Sequence, residues 1–216
     1  MLKKEVSMAN EIMKEVVCPR CGATQQHKIY PQVYTAKNPA VKQQLLKETF
    51  FSWQCQKCGY YADMTYPCLF IDIKLKYAIL FMPVGSRQLP QVPDQLAGYR
   101  KRMVRTPAEL KEKTLIFESG YDDIALELVK NALCTTVRDK YKVSKLKALF
   151  CQQKDGEFEF ALFMPEKSEP VYHAIRTELY EESQKILAAI GYREEEGFLP
   201  VNGKLAAKLL AEYEAT

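Results

Sequence analysis

Two pairs of cysteines have the spacing of metal ligands. The chain contains the segments CPRCG and CQKCG, which supply Cys18, Cys21, Cys55 and Cys58. Two cysteines separated by two residues project from one tight turn, and two such turns can surround one metal ion tetrahedrally with four thiolates. The glycine after each pair permits the backbone conformation that turns amide N–H groups towards sulfur. The spacing therefore predicts one shared metal site.

A site of four cysteines favours a structural zinc ion. Such sites contribute about 10–16 kcal/mol in small domains, which is comparable with a whole domain's stability of about 5–15 kcal/mol. Four sulfur ligands also close the coordination shell, whereas a catalytic zinc keeps an open position for water. Iron is the alternative, because a tetrahedral sulfur site also suits a rubredoxin-like electron-transfer centre. Two unrelated turns with buried or redox-active cysteines are the remaining interpretation.

The sequence offers little support for catalysis. Its two histidines are His27, which we place on a sheet or the surface, and His173, which we place on a helix face. Neither lies in a recognisable active-site motif. Asp122 and Asp123 form a carboxylate pair, but their position is typical of a helix N-cap and first turn. We therefore expect a protein that is not an enzyme.

Positive charge is concentrated in the first half of the chain. Residues 1–105 contain 16 Lys and Arg against 7 Asp and Glu, whereas residues 106–216 contain 15 against 20. The basic run Arg100, Lys101, Arg102 and Arg105 is a candidate for phosphate contacts with nucleic acid. The alternative is that these side chains flank a sheet and pair with acids of the second half. A protein partner is the favoured prediction, with nucleic acid as the alternative.

Export and membrane signals are absent from the sequence. The N-terminal residues lack the apolar run of a signal peptide, and the longest apolar stretch, 77–84, is too short to cross a bilayer. We therefore expect a cytoplasmic protein with no membrane association. In that setting the odd number of cysteines argues against disulfides, and Cys68, Cys134 and Cys151 are interpreted as core thiols. Met8 is a candidate natural start, because residues 1–7 show no structural pattern.

The apolar pattern of the first region predicts a sheet. Residues 24–34 and 50–54 are typical of strands, Asn38-Pro39 starts a short helix through Lys47, and residues 60–84 are rich in aromatic and β-branched side chains. We expect a zinc-ribbon-like antiparallel sheet that carries the two cysteine turns. Residues 85–98 contain two prolines and two glycines without periodicity, so they indicate a boundary. This divides the chain into regions 12–98 and 99–216.

The second region is predicted to contain helices and one hairpin. Thr106-Pro107-Ala108-Glu109 forms a capping box that starts a helix, and residues 122–141 repeat apolar side chains at intervals of three and four. Alternating apolar residues on both sides of Asp155-Gly156 predict a β-hairpin. Two more helices are expected over 170–190 and 202–213. The fold class is α+β, and this region either forms its own module or completes one core with the first.

The sequence around the cysteine pairs resembles the CpXC-domain family of bacteria and archaea. The resemblance rests on both pairs, on FFSWQC before the second pair and YPCLFIDIKLKYAILFMP after it, and on YRKRMVRTPAELKEKTLIFESGYDDIALELVK. It covers about residues 12–133 and implies a four-cysteine metal-binding fold without a particular biochemical activity. Gln56 stands where the family motif has proline, which alters the rigidity of the turn but not the ligands.

These observations together predict a zinc-binding protein that serves as a macromolecular-interaction module. A rubredoxin-like iron protein that transfers electrons is one alternative. A zinc ribbon that binds nucleic acid is the other.

Overall fold

A computed structural model describes residues 10–216, so Met8 lies outside the described residues. The chain has mixed helices and strands, which confirms the α+β class. It divides into two compact units, residues 1–111 and 112–216. In the described part of the chain, no helix is long and apolar enough to cross a membrane.

The first unit is built on a five-stranded sheet. Its elements are β1 (Asn10–Val17), β2 (Thr24–Tyr34), α1 (Pro39–Leu46), β3 (Ser52–Gln54), β4 (Tyr61–Asp63), β5 (Cys68–Asp72), β6 (Tyr77–Phe81), β7 (Arg100–Val104) and the start of α2 (Pro107–Glu118). The sheet has the order β1-β2-β5-β6-β7, and β3 and β4 form a separate hairpin. The strand over 24–34 and the helix that starts at Pro39 are confirmed.

The five-stranded sheet is mixed and not wholly antiparallel as the sequence predicts. Two pairs of strands are antiparallel, β1 with β2 and β5 with β6. The other two pairs are parallel, β2 with β5 and β6 with β7. The physical reason is the length of the connections, because a long crossover lets the chain re-enter the sheet in the same direction.

The boundary between the units lies further along the chain than the sequence predicts, because β7 belongs to the first sheet. Because it pairs with β6, residues 100–104 belong to the first sheet, and the division falls after residue 111 and not after the predicted residue 98. Residues 85–98 lack helix and strand, as predicted.

The core of the first unit lies on β5 and β6, in which every residue is buried. Aromatic rings pack against these strands, with ring centroids 4.7 Å apart for Phe51 and Phe81 and 5.2 Å apart for Phe50 and Phe70. Full burial of one such side chain stabilises a fold by about 1.5–3 kcal/mol. The sheet centre therefore has a substantial apolar core of its own.

The second unit contains the rest of α2 and a three-stranded sheet. Its further elements are α3 (Asp123–Tyr141), β8 (Lys147–Lys154), β9 (Glu157–Phe163), β10 (Val171–Arg176), α4 (Glu178–Ala189) and α5 (Gly203–Glu214). The strands are antiparallel in the order β10-β9-β8. A buried cluster joins Ile124 and Leu128 of α3 to Ala206 and Leu209 of α5.

The predicted helix starts are confirmed by their caps. The Thr106 hydroxyl accepts a hydrogen bond from the Glu109 N–H at 3.2 Å, and the Glu109 carboxylate accepts one from the Thr106 N–H at 3.3 Å. This is the reciprocal pattern of a capping box. The Asp122 carboxylate accepts from the N–H groups of Ile124 and Ala125. Asp122 is therefore a helix cap, as the sequence predicts.

The predicted hairpin is confirmed, whereas one predicted helix begins too early. Asp155 and Gly156 have φ angles of 51° and 80°, the positive values that a tight hairpin turn requires. The helix expected over 170–190 begins only at Glu178, because residues 171–176 form β10. His173 therefore lies on a strand and not on a helix face. Aromatic and β-branched residues beside the open edge of β9 favour the strand.

A buried charge network joins α2, α3 and β8. The Lys130 ammonium lies 2.9 Å from the Glu112 carboxylate and 2.8 Å from that of Glu127. The Glu112 carboxylate also accepts a hydrogen bond from the Phe150 N–H at 2.8 Å. Burial alone would lower the pKa of Lys130, but the two carboxylates outweigh it and raise this pKa above its ordinary value.

We expect Glu112→Ala to destabilise the protein strongly. Glu112 is only 3% exposed, and its loss removes one partner of a buried cation and the acceptor of the Phe150 N–H. The free energy of unfolding should fall by about 3–5 kcal/mol, measured by urea unfolding followed by circular dichroism. Lys111→Ala is the control on the same helix, since its ion pair with Glu48 is solvent-accessible and worth at most about 1 kcal/mol. Equal losses in the two variants would contradict the importance of the network.

Candidate metal centre

Two β-hairpins deliver the four cysteines. Cys18 and Cys21 lie in the connection between β1 and β2, and Cys55 and Cys58 lie in the connection between β3 and β4. Both hairpins are antiparallel, so each cysteine pair sits where its chain reverses.

The two turns have the same backbone geometry. In each, the N–H of the glycine donates to the carbonyl of the first cysteine at 2.9 Å, which joins Gly22 to Cys18 and Gly59 to Cys55. The N–H of that first cysteine donates to the carbonyl five residues later at 2.8 Å. Gly22 and Gly59 have φ angles of 68° and 69°, a left-handed conformation that glycine adopts at little cost. The glycines therefore serve the turn as the sequence predicts.

The structure brings all four predicted sulfur ligands together. Their Sγ atoms lie within 4.8 Å of one another, and the Cys18–Cys58 and Cys21–Cys55 sulfur distances are both 3.7 Å. Four sulfurs at about 2.3 Å from a tetrahedral ion would be about 3.8 Å apart. The set therefore fits one tetrahedral metal ion. Each 3.7 Å pair takes one cysteine from each hairpin, so an ion at this position joins the two hairpins.

A small apolar core closes over half of the cluster. Cys18 and Cys55 are 1% exposed and pack with Val16 and Trp53. The second cysteine of each pair is only half-buried. This core therefore encloses the first cysteine of each pair.

Backbone N–H groups favour the ionised form of Cys55. The N–H of Cys58 contributes most, and with the N–H of Lys57 it outweighs burial and lowers the pKa of Cys55 to about 6. For Cys58 the N–H of Tyr60 lowers the pKa, but burial and the neighbouring sulfurs together raise it to about 12. One thiolate thus opposes the ionisation of the next, and a cation relieves that repulsion. Because protons compete with the metal for sulfur, metal affinity falls as pH falls.

The other cysteines lie outside the cluster. Cys68 and Cys134 are buried and Cys151 is half-buried. Burial raises the pKa of the Cys68 and Cys134 thiols, which keeps them protonated and unreactive. His27 lies on β2, and it is not among the clustered ligand atoms of the described residues.

The basic run is not gathered on one exposed surface. Arg102 is 1% exposed, and its guanidinium donates to the Lys101 carbonyl at 2.9 Å. Arg100 and Lys101 are half-buried, and Arg105 is exposed with its guanidinium 3.3 Å from the Met82 carbonyl. Arg102 and its neighbour Lys101 point to opposite faces of β7, and Arg105 lies beyond the end of this strand.

The two hairpin turns thus define a protein with a four-cysteine cluster that could hold one metal ion. The chain belongs to the CpXC protein family, whose family model matches residues 16–130. The match includes both cysteine pairs and confirms the resemblance seen in the sequence. Neither the curated proteins nor the solved structures contain a significant match.

We expect Cys55→Ser to lower the amount of bound metal. A hydroxyl is a much poorer ligand than a thiolate, so the affinity should fall by at least about tenfold. Elemental analysis measures the metal per chain, and the fluorescence of Trp53, the only tryptophan, reports on the packing beside the cluster. The matched control is Cys151→Ser, which changes a half-buried cysteine outside the cluster. Unchanged metal content in Cys55→Ser would contradict the assignment of this ligand.

Proposed function

We propose that the protein is a non-enzymatic module that binds another protein, with a structural zinc ion held by Cys18, Cys21, Cys55 and Cys58. The observation that carries this proposal is the closed set of four sulfur ligands on two hairpins. Four thiolates fill a tetrahedral coordination shell and leave no position for water or substrate. The ion then supplies stability and shape in a zinc-ribbon-like arrangement.

The surface that depends most directly on the ion is β1. This strand ends one residue before Cys18 and lies at one end of the five-stranded order, where it pairs with β2. Val16 of β1 packs with Trp53 in the core around the cysteines. Metal binding therefore fixes the end of an edge strand.

The exposed side chains of β1 suit a protein partner. Ile12, Met13 and Val17 are 51%, 57% and 59% exposed. An edge strand with exposed apolar side chains is a template on which an extended segment of another protein forms a further strand. Backbone hydrogen bonds supply affinity in that mode, and alternate side chains supply specificity. Nucleic acid is the less favoured partner because Arg102 is buried away from solvent.

The identity of the metal is tested on untagged protein purified without chelators. We expect one zinc ion per chain and a colourless solution. Zinc bound by four sulfurs does not absorb visible light, whereas iron bound in the same way does. Elemental analysis and an absorption spectrum of the same sample measure both properties. Protein from iron-replete cells that contains iron, absorbs visible light and bleaches on reduction would instead support electron transfer.

We expect the double substitution Ile12→Lys and Met13→Lys to abolish partner binding without loss of metal. Lysines on an edge strand oppose pairing with a second chain. Quantitative mass spectrometry of proteins enriched with the chain from its native cells measures the loss, and Cys55→Ser should lose both metal and partner. Val84→Lys is the control, because Val84 is 88% exposed and lies outside the sheet.

Enrichment that is unchanged by the β1 substitution would contradict strand pairing. Retention of RNA or DNA by the unaltered chain, with affinity that falls steeply with salt, would favour nucleic acid over a protein partner.

A further inference from the structure

The second unit contains an apolar pocket that has no part in the metal centre. Its volume is about 390 Å³, within the range of small-molecule sites. Half of the twelve lining residues are aliphatic or Met, and they include Leu133 and Val137 on α3, Leu162 of β9, Met164, and Val171 of β10. Leu133, Val137 and Leu162 are buried, so the pocket reaches the core of this unit.

A basic groove opens beside this apolar pocket. The groove has a volume of about 540 Å³ and shares Met164 and Lys167 with the pocket, so the two cavities are adjacent. Five cationic side chains line one or both of them, against the two carboxylates of Glu166 and Glu169. These cations are Arg138, Lys140, Lys145, Lys147 and Lys167.

This concentration of positive charge departs from the rest of the region. Residues 106–216 carry more acidic than basic side chains, yet a third of their 15 Lys and Arg residues border these two cavities. Lys145 and Lys167 are exposed, and neither forms an ion pair with any residue between 10 and 216. Lys145 and Lys167 are therefore available to an anion.

We propose that this pocket binds a small molecule in which an aliphatic chain ends in an anionic head, the chemistry of a medium-chain carboxylate. The chain lies against Leu133, Val137 and Leu162, where it is removed from water. The carboxylate remains at the mouth near Lys140 and Lys167, where it keeps much of its hydration and gains electrostatic attraction. The unbranched side chain of Met164 adapts to chains of different shape.

Side chains on β10 alternate between its two faces, so substitutions on each face test where the ligand binds. Val171 and His173 line the pocket, and Ala174 occupies the opposite face of the same strand. Val171 is 40% exposed and Ala174 is also exposed, so a polar side chain at either position leaves the core of the unit intact. Glutamate at position 171 places a negative charge in the pocket, and glutamate at 174 places the same charge outside it.

The proposal is tested by calorimetric titration of the full metal-loaded chain. The titrants are octanoate, decanoate and dodecanoate, each below its micellar concentration. We expect one carboxylate per chain and an affinity that rises about fourfold with each added methylene, because each one buries further apolar surface. Dodecan-1-ol and dodecyltrimethylammonium should bind more weakly than dodecanoate. Absence of carboxylate binding, or affinity independent of chain length, would overturn the proposal.

Two sets of substitutions test the apolar wall and the cationic side chains separately. Val171→Glu should weaken dodecanoate binding by at least about tenfold, whereas Ala174→Glu should leave it unchanged. The double substitution Lys140→Gln and Lys167→Gln should weaken dodecanoate binding about fivefold. The matched control is the double substitution Lys204→Gln and Lys208→Gln on α5. Circular dichroism establishes that each variant is folded. Equal binding by the two glutamate variants would overturn the location.

Discussion

The clustering of four cysteine sulfurs within 4.8 Å of one another is the constraint on which the first unit depends. The hairpin of β3 and β4 has strands of three residues, and an isolated hairpin of that size is marginally stable in water. Cys21 and Cys55 are 34 positions apart, yet their sulfurs lie 3.7 Å from each other. An ion between them would therefore link two local turns into one structure, and it would limit the freedom of the chain that connects them.

Different forces stabilise the two ends of this unit. β5 and β6 are buried along their whole length and pack against aromatic rings, so the sheet centre is stabilised by apolar burial. The cysteine turns have only a small apolar cluster around Trp53. Loss of the ion should thus loosen the hairpins before the sheet centre, and β1 lies at the end that depends on the ion. Metal binding would therefore be coupled to the order of the proposed binding edge.

The features that the sequence predicts well are local. A cysteine turn with its glycine, the cap at Asp122 and the Asp155-Gly156 turn each depend on neighbouring residues, so the pattern contains the needed information. The features it misses depend on distant partners. Parallel pairing of β6 with β7, which buries Arg102 and moves the boundary, requires knowledge of where the chain returns. His173 was misplaced for the same reason, because β10 exists only by pairing with β9.

Burial decides what the lysines of the second unit can do. Lys130 is enclosed between two carboxylates, so its charge is neutralised locally and contributes to the fold. Lys145 and Lys167 are exposed in the basic groove, and Lys167 also lines the apolar pocket; in water such charges add little to stability. A lysine that contributes so little to stability can instead serve to bind an anion. The apolar pocket next to these lysines defines the rest of that ligand, which must combine an anionic group with a chain that avoids water.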